Sequence, residues 1–323
     1  MLPITDGIVT IRAPRAEDTA VLVAGRDDVS RRFLGEGDPD PRPVAVIEAD
    51  GTVVGWVDHD ERDWLEPHEC NIGYQVFPGR RGAGHASRAV QLLLHLLALE
   101  GRYTVATLLI DRENERSQAL ARRNGYARVP DLDGHPFFKV DVPPLSLTDG
   151  TVTIRRQTVD DLERDLTAKD TEQIRWLWEP GQGELWAAMS PDEQRDHARR
   201  GLQANHDAFG RGPKWTFAVD LGDETAVAYV DCDLANDKVP AGEANVSYSC
   251  HPDFRGQGIT TRAARLVVDF VRLHTGARQA HVLVDVDNTP SLGVARALGA
   301  AETERWTTAR NETMARHVLP ITR

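Results

Sequence analysis

Apolar and polar positions along this 323-residue chain follow two periods, and the same succession of periods runs through the chain twice. Period-two alternation of β-branched residues predicts opening strands at Ile8–Arg12 and Thr151–Arg155. Helical or turn-rich stretches follow at Asp18–Leu34 and Asp160–Trp178. Hairpins are then expected at Val44–Ala49 with Gly51–Asp58, and at Trp215–Asp220 with Ala226–Asp231. Their turns hold Asp50-Gly51 and Gly222-Asp223, residues that accept the backbone of a tight hairpin. Strands Asn71–Val76 and Asn245–Cys250 run into glycine-rich turns. The period then becomes helical, with Ala89, Leu92, Leu93, Leu96 and Leu97 on one face, and Ala263, Leu266, Val267, Phe270 and Val271 on its counterpart. Short buried strands are expected at Val105–Ile110 and Ala280–Asp285. Helices Ser117–Asn124 and Ser291–Leu298 stop at Gly125 and Gly299, as a left-handed C-cap requires. Phe137–Val142 and Thr313–Leu319 close the two successions.

The recurrence extends to residue identity. LPITDGIVTIR (2–12) and LSLTDGTVTIR (145–155) agree at eight of eleven positions, at an offset of 143. Residues 69–89 and 243–263 agree at nine of twenty-one, and residues 114–127 and 288–301 at six of fourteen, both at an offset of 174. The chain therefore reads as two copies of one domain, expected at 1–142 and 145–323, with 31 extra residues near the front of the second. The adjacent prolines Pro143 and Pro144 break regular structure between them.

A formal net charge of −12 repels phosphate backbones and argues against a nucleic-acid partner; it suits a soluble protein that meets cationic small molecules or peptides. Cys70, Cys232 and Cys250 have neither disulfide-framework nor metal-ligand spacing. The start, MLPITDG, lacks the basic and apolar regions of a leader. The longest apolar stretch, around Ala89–Leu99, carries Gln91 and His95 and is too short to span a bilayer. A cytoplasmic protein with no membrane partner is expected.

The chemistry concentrates where strand meets helix. Arg81-Gly82-Ala83-Gly84-His85-Ala86 and Arg255-Gly256-Gln257-Gly258-Ile259-Thr260 each place glycines after a strand and before a helix. Backbone N–H groups there converge on a shared centre and suit an anion such as a diphosphate. A plain strand-to-helix turn would account for Gly-x-Gly alone, and neither segment matches a Walker A loop or a dinucleotide fingerprint. A second motif follows in both copies: Asn114-x-x-Ser117 and Asn288-x-x-Ser291, between a buried strand and a helix that ends in Gly. Asn and Ser there are competent helix caps; both motifs recurring at one separation point beyond capping.

Strand–RGxGxA–helix–strand–NxxSxxxxxxxG resembles the GNAT acetyltransferase superfamily, and the absence of a Tyr seven residues after the Asn resembles its RimJ/RimL-like branch; that place holds Ala121 and Ala295. The resemblance covers nearly the whole chain. It implies an α/β (α+β) fold: two GNAT domains in tandem, each a mixed, mostly antiparallel twisted sheet flanked by helices. It implies acetyl-CoA as cofactor, with the diphosphate held by Arg81, Gly82, Gly84 and Ala86, or by Arg255, Gly256, Gly258 and Thr260. It places the pantetheine along Val76 and Phe77, or Cys250 and His251, with Asn114, Ser117, Asn288 and Ser291 near the thiol. Ser291 is then the candidate donor to the leaving sulfur.

Attack on a thioester requires a neutral amine, and an alkylammonium has a pKa of about 10, so a proton acceptor is needed. Glu243 (with Glu69 as its counterpart) and Asp231 (with Asp233 beside it) are the candidate carboxylates, each of which also reads as a solvated strand-end charge. The 31 extra residues hold Trp176, Trp178 and Trp186 and a capped helix from Pro191 to Ala208; these aromatics are candidates for an acceptor wall, or for a local core. Copy one has only the loop 35–43 there. The second copy is therefore expected to transfer the acyl group to a primary amine of a small molecule or peptide, and the first to bind coenzyme A weakly or to act structurally. Two other readings stand beside this one: a biosynthetic acyl-condensing enzyme using a longer thioester, and a non-catalytic coenzyme A sensor or scaffold.

Overall fold

A computed structural model describes residues 2–308 and 311–322. The chain divides into two compact units. One holds the residues up to Pro144 together with Leu273–Gly276; the other holds Leu145–Arg272 and Ala277–Thr322.

The first unit runs β1 (Ile4–Thr5), β2 (Thr10–Arg12), α1 (Asp18–Ala24), α2 (Asp28–Leu34), β3 (Ala45–Ala49), β4 (Thr52–Asp60), β5 (Glu69–Val76), α3 (His85–Glu100), β6 (Val105–Leu109), α4 (Glu115–Arg123), β7 (Ala127–Leu132) and β8 (His135–Asp141). Its sheet order is β1-β2-β3-β4-β5-β6-β8-β7, and every pairing is antiparallel except β5 with β6. That one parallel pair needs a crossover, which α3 supplies.

The second unit repeats the plan with β9 (Leu147–Thr148), β10 (Val152–Arg156), α5 (Leu162–Ala168), α6 (Thr171–Leu177), α7 (Gln182–Ala188), α8 (Pro191–Phe209), β11 (Lys214–Leu221), β12 (Glu224–Asp233), β13 (Ala244–Cys250), α9 (Ile259–His274), β14 (Gln279–Asp285), α10 (Thr289–Ala297), β15 (Ala301–Thr307) and β16 (Thr313–Pro320). Its order, β15-β16-β14-β13-β12-β11-β10-β9, matches the first, with β13 and β14 parallel. The added residues build α7 and α8. Helix α8 starts as its sequence requires: Pro191 follows the Ser190 cap, and Ser190 and Glu193 close a reciprocal capping box.

Each sheet has two dissimilar faces. In the first unit Ile47, Val57, Ile72 and Val76 join α3 residues such as Leu92, Leu93 and Leu96 in the main core. Val46, Trp56 and Phe77 point the other way and pack with Leu22 of α1. In the second unit Val230, Val246, Val282 and Val284 join Ala263, Val267 and Phe270 of α9. Strand alternation then places Tyr229, Asp231, Asn245, Ser247 and His281 on the opposite face, toward α5.

Candidate active site

The central parallel strands separate almost as soon as they pair. Strand β5 pairs with β6 only over Glu69–Asn71, yet with β4 as far as Val76. Strand β13 pairs with β14 only at Ala244 and Asn245, yet with β12 as far as Cys250. Each sheet therefore contains a split whose one wall is an unpaired strand edge. The edge groups follow from the ladder. Phe77 N–H donates to Val54 O at 2.8 Å and His251 N–H to Val227 O at 2.9 Å, which fixes these as hydrogen-bonded pairs. The alternate residues Tyr74 and Val76, or Tyr248 and Cys250, then turn their N–H and C=O toward the split.

This corrects half of the sequence expectation for the strand. Val76 and Cys250 lie on the open edge, but Phe77 and His251 do not. Their carbonyls are also taken, by Arg80 N–H and Phe254 N–H. Adjacent strand residues face opposite ways, so two neighbours cannot both line one edge.

The wide end of each split leads to the glycine turn and helix. Gly82 and Gly84 have φ of 89° and 83°, and Gly256 and Gly258 have 77° and 76°, values that disfavour any Cβ. Nothing lies within 4 Å of where a Cβ would stand at any of the four, so the turns are open on their outer side. Gly84 gives α3 no side-chain cap. Among the described residues every helix but α3, α9 and α10 has an acid in its first turn. The first turns of α3 and α9, with Ala86 and Thr260 at their second positions, therefore keep their dipole and orphan N–H groups for an outside anion. These residues fit the diphosphate of acetyl-CoA.

Arg81 and Arg255 take another role than the expected phosphate contact. Arg81 donates both Nη groups to Asp27 at 2.7 and 2.9 Å and Nε to Val76 O at 2.8 Å. Arg255 does the same with Asp170, at 2.7 Å twice, and Cys250 O, at 3.2 Å. Asp27 and Asp170 are the N-caps of α2 and α6. Each arginine thus ties the end of the split strand to the start of α2 or α6, and holds its partner carboxyl below the usual carboxylate range. The Thr260 hydroxyl lies against the Cys250 thiol.

Asn114 and Asn288 are helix caps: each Oδ1 accepts from the N–H of Ser117 or Ser291 at 3.1 Å. This differs from a direct cofactor role, because the amide oxygen is already engaged. The serines stand beside a residue that sequence reasoning missed. Tyr74 O–H donates to Ser117 Oγ at 3.0 Å, and Tyr248 O–H to the Ser291 carbonyl at 3.1 Å. Burial raises both phenol pKa values, so both stay protonated at neutral pH. The signal was present, since Tyr sits at one place in both copies, but only the fold brings it across the split.

The carboxylates separate by position. Glu243 lies at the closed end, where Oε2 accepts the N–H groups of Arg278 and Gln279 at 2.7 and 2.6 Å. Seven residues of extended strand, roughly 23 Å, part it from Cys250, so it is a backbone clamp. Glu69 is likewise held by Lys139 at 2.5 Å. Asp231 stands beside the split on the α5 face. Its Oδ2 accepts the Ser247 hydroxyl at 2.7 Å, with Lys214 Nζ at 3.7 Å. Burial raises its pKa, against the pull of Lys214 and Ser247.

The first unit differs at this place. Asp58 occupies the equivalent rung, but its Oδ1 accepts the N–H groups of Val44 and His59, and its neighbour is Gly73. Higher on the same face, Trp56 Nε1 donates to Gln75 Oε1 at 2.9 Å, Gln75 donates to Gly25 O, and the Phe77 ring fills the space under Gly25. The α1 face of the first unit is filled at this place.

The tryptophans of the added helices form their own core. Trp186 is buried with Leu162, Ala198 and Leu202, and Trp178 packs edge-on against it at 5.7 Å. Trp176 bonds Glu172 at 2.7 Å and lies under Arg175. Helices α5 to α8 need a common apolar centre, and these rings contribute to it, which favours the local-core reading of Trp178 and Trp186.

Among the described residues no helix is long and apolar enough to cross a membrane. A family model described as an acetyltransferase (GNAT) domain matches residues 23–127 and again 151–301. No curated protein is matched. Solved structures similar to this chain include a GNAT-family acetyltransferase from Bacillus anthracis, at 13% identity over 54% of this chain and 98% of that one, with a TM-score of 0.43. RimL, a ribosomal-protein acetyltransferase in complex with coenzyme A, is similar at 15% identity over 54% and 97%, with a TM-score of 0.45. Mycobacterium smegmatis RimJ in complex with CoA-disulfide is similar at 19% identity over 52% and 81%, with a TM-score of 0.42.

Proposed function

Because the chain belongs to the GNAT acetyltransferase family, we propose that its second unit transfers an acetyl group from acetyl-CoA to a primary amine of a small molecule or peptide. The observation that supports this choice of unit is the pair Asp231–Ser247, a part-buried carboxylate with a hydroxyl beside the split, which the first unit replaces with Gly73 and an Asp58 occupied by backbone N–H groups.

Acetyl-CoA, when bound, supplies an acyl carbon activated as a thioester. The turn 255–260 and the first turn of α9 hold its diphosphate, and the open edge of Tyr248 and Cys250 aligns its arm. On the α5 face, Ser247 accepts an N–H from the acceptor while its own hydroxyl donates to the ionised Asp231. The acceptor's proton passes through Ser247 to Asp231, whose raised pKa makes it a better base than an exposed carboxylate. On the α9 face, the Ser291 hydroxyl offers a hydrogen-bond donor toward the departing sulfur, and the Tyr248 phenol, donating to the Ser291 carbonyl, positions it. Holding the reactants between these walls replaces a bimolecular encounter, an effect on the order of 7–11 kcal/mol at its upper end. The first unit keeps a diphosphate turn but a filled acceptor face, which favours cofactor binding without transfer.

A thiol-release assay with a panel of primary amines tests this reading. Asp231→Asn and Ser247→Ala are expected to lower kcat by about 10²-fold or more, with acetyl-CoA binding unchanged. Turnover in both variants at the parent rate would exclude the pair as the proton acceptor.

A further inference from the structure

At the vertex of the second split two side chains hold buried polar atoms with no hydrogen-bond partner among the described residues. Asn245 and His281 form the last parallel rung of β13 and β14, and both lie on the α5 face with Ser247 and Asp231. His281 is 2% exposed, and both Nδ1 and Nε2 are unpartnered; so is Asn245 Oδ1. A buried polar group left unsatisfied costs about 1–3 kcal/mol, and three atoms on facing residues share that state here. The first unit has Asn71 and Thr107 at this rung. There Asn71 Oδ1 is unpartnered too, but the Thr107 hydroxyl is satisfied by Cys70 O at 3.2 Å and no imidazole is present.

We propose that Asn245 and His281 form the subsite that holds the acceptor's primary amino group, a deepening of the acetyl-transfer reading of the second unit on which it rests. A protonated primary amine carries three N–H donors and no acceptor. Asn245 Oδ1 takes one, and the unprotonated ring nitrogen of His281 takes the second. Ser247 Oγ, two residues along β13 on the same face, takes the third and connects it to Asp231. The subsite therefore selects for N–H groups as well as for charge, and an ammonium without N–H leaves all three acceptors unmet.

The charged groups around His281 are Arg316 on β16, Glu243 before β13, Asp233 across from Asn245 with Lys214 next in that row, and Asp231 across from Ser247. Arg316 is engaged by Glu304 at 2.6 Å and by Lys238 O at 2.6 Å, and Glu243 by two backbone N–H groups. Burial, aided by Arg316 and opposed by Glu243, keeps the His281 pKa below its ordinary value, so the ring is neutral at pH 7 and free to accept.

The experiment uses the full chain with ¹⁵N-labelled histidine, without acetyl-CoA, and methylammonium chloride as the probe. The His281 ring resonances, assigned by their absence in His281→Gln, are expected to shift saturably with methylammonium and to ignore tetramethylammonium. A flat response to methylammonium, or an equal response to both cations, overturns the subsite. In parallel, His281→Leu is expected to raise KM for a primary amine about tenfold with kcat and the acetyl-CoA KM unchanged, since one lost hydrogen bond to a charged group is worth ~1.5 kcal/mol. A fall in kcat alone also overturns it. Should His281→Leu fail to fold, the resonance shift decides. Amine turnover without a His281 response removes the subsite and leaves acetyl transfer standing; a response without turnover does the reverse.

Discussion

Asp231 carries two opposed demands in a single side chain. Burial raises its pKa, so the protonated form is the one the folded unit favours. That stabilisation is full below the unfolded carboxylate range and is lost as pH rises through the raised folded pKa. At neutral pH the ionised side chain is then a liability to folding and, in the proposed mechanism, the species that takes the proton. Asp231→Asn is expected to increase stability by roughly 0.5–2 kcal/mol in a denaturant melt at pH 7, alongside its loss of turnover. Equal or lower stability in the variant would show that Lys214 and Ser247 already compensate for burial. The same sign sets the acid limb of the rate profile: turnover falls as pH drops through a pKa above that of a free Asp, and this limb is absent from Asp231→Asn. Tyr248→Phe leaves that limb in place and lowers kcat alone, by about tenfold, if the phenol acts only by positioning Ser291 through its carbonyl.

Strands and helices explain why parts of the site were readable in the sequence and others were not. Gly-x-Gly after a strand predicts an anion-binding turn because positive φ and free N–H groups are local properties of the chain. The capping of α4 and α10 by Asn114 and Asn288 is local as well. Which strand residues face the split depends on cross-strand register, so Phe77 and His251 were misplaced by one residue each. The Arg81–Asp27 and Arg255–Asp170 ties join residues more than fifty positions apart, and sequence alone gives them no signal. These ties have a measurable consequence. Each arginine, the largest cause, lowers the pKa of its Asp, so the tie stabilises above the unfolded carboxylate range and is lost as pH falls through the depressed value. The Ser30 and Gln173 amides, which donate to those carboxylates at 2.9 Å, report the helix starts. In Arg81→Ala and Arg255→Ala, their hydrogen-exchange protection is expected to vanish at higher pH than in the parent. The side chains are about one-third exposed, so each tie contributes no more than about 1 kcal/mol. Identical pH profiles in parent and variant would dissociate the arginines from the caps.

Across the whole chain, duplication followed by divergence accounts for the design. The repeat was legible because residues such as Arg-Gly-x-Gly and Asn-x-x-Ser recur in order, and the two eight-stranded sheets share one strand order. The divergence was only partly legible. The extra helices are visible as an insertion, but their tryptophans serve a local core. The filling of the first unit's α1 face by Trp56, Gln75 and Phe77 appears only in three dimensions. Coenzyme A binding and thiol release, measured side by side on Gly84→Glu and Gly258→Glu, test the central claim most directly. Each substitution places a carboxylate and a strained backbone in one diphosphate turn. Gly258→Glu is expected to weaken binding at one site by ~10-fold or more and to abolish amine-dependent thiol release. Gly84→Glu is expected to weaken the other site and leave release intact. Release that survives Gly258→Glu and disappears with Gly84→Glu would contradict the account.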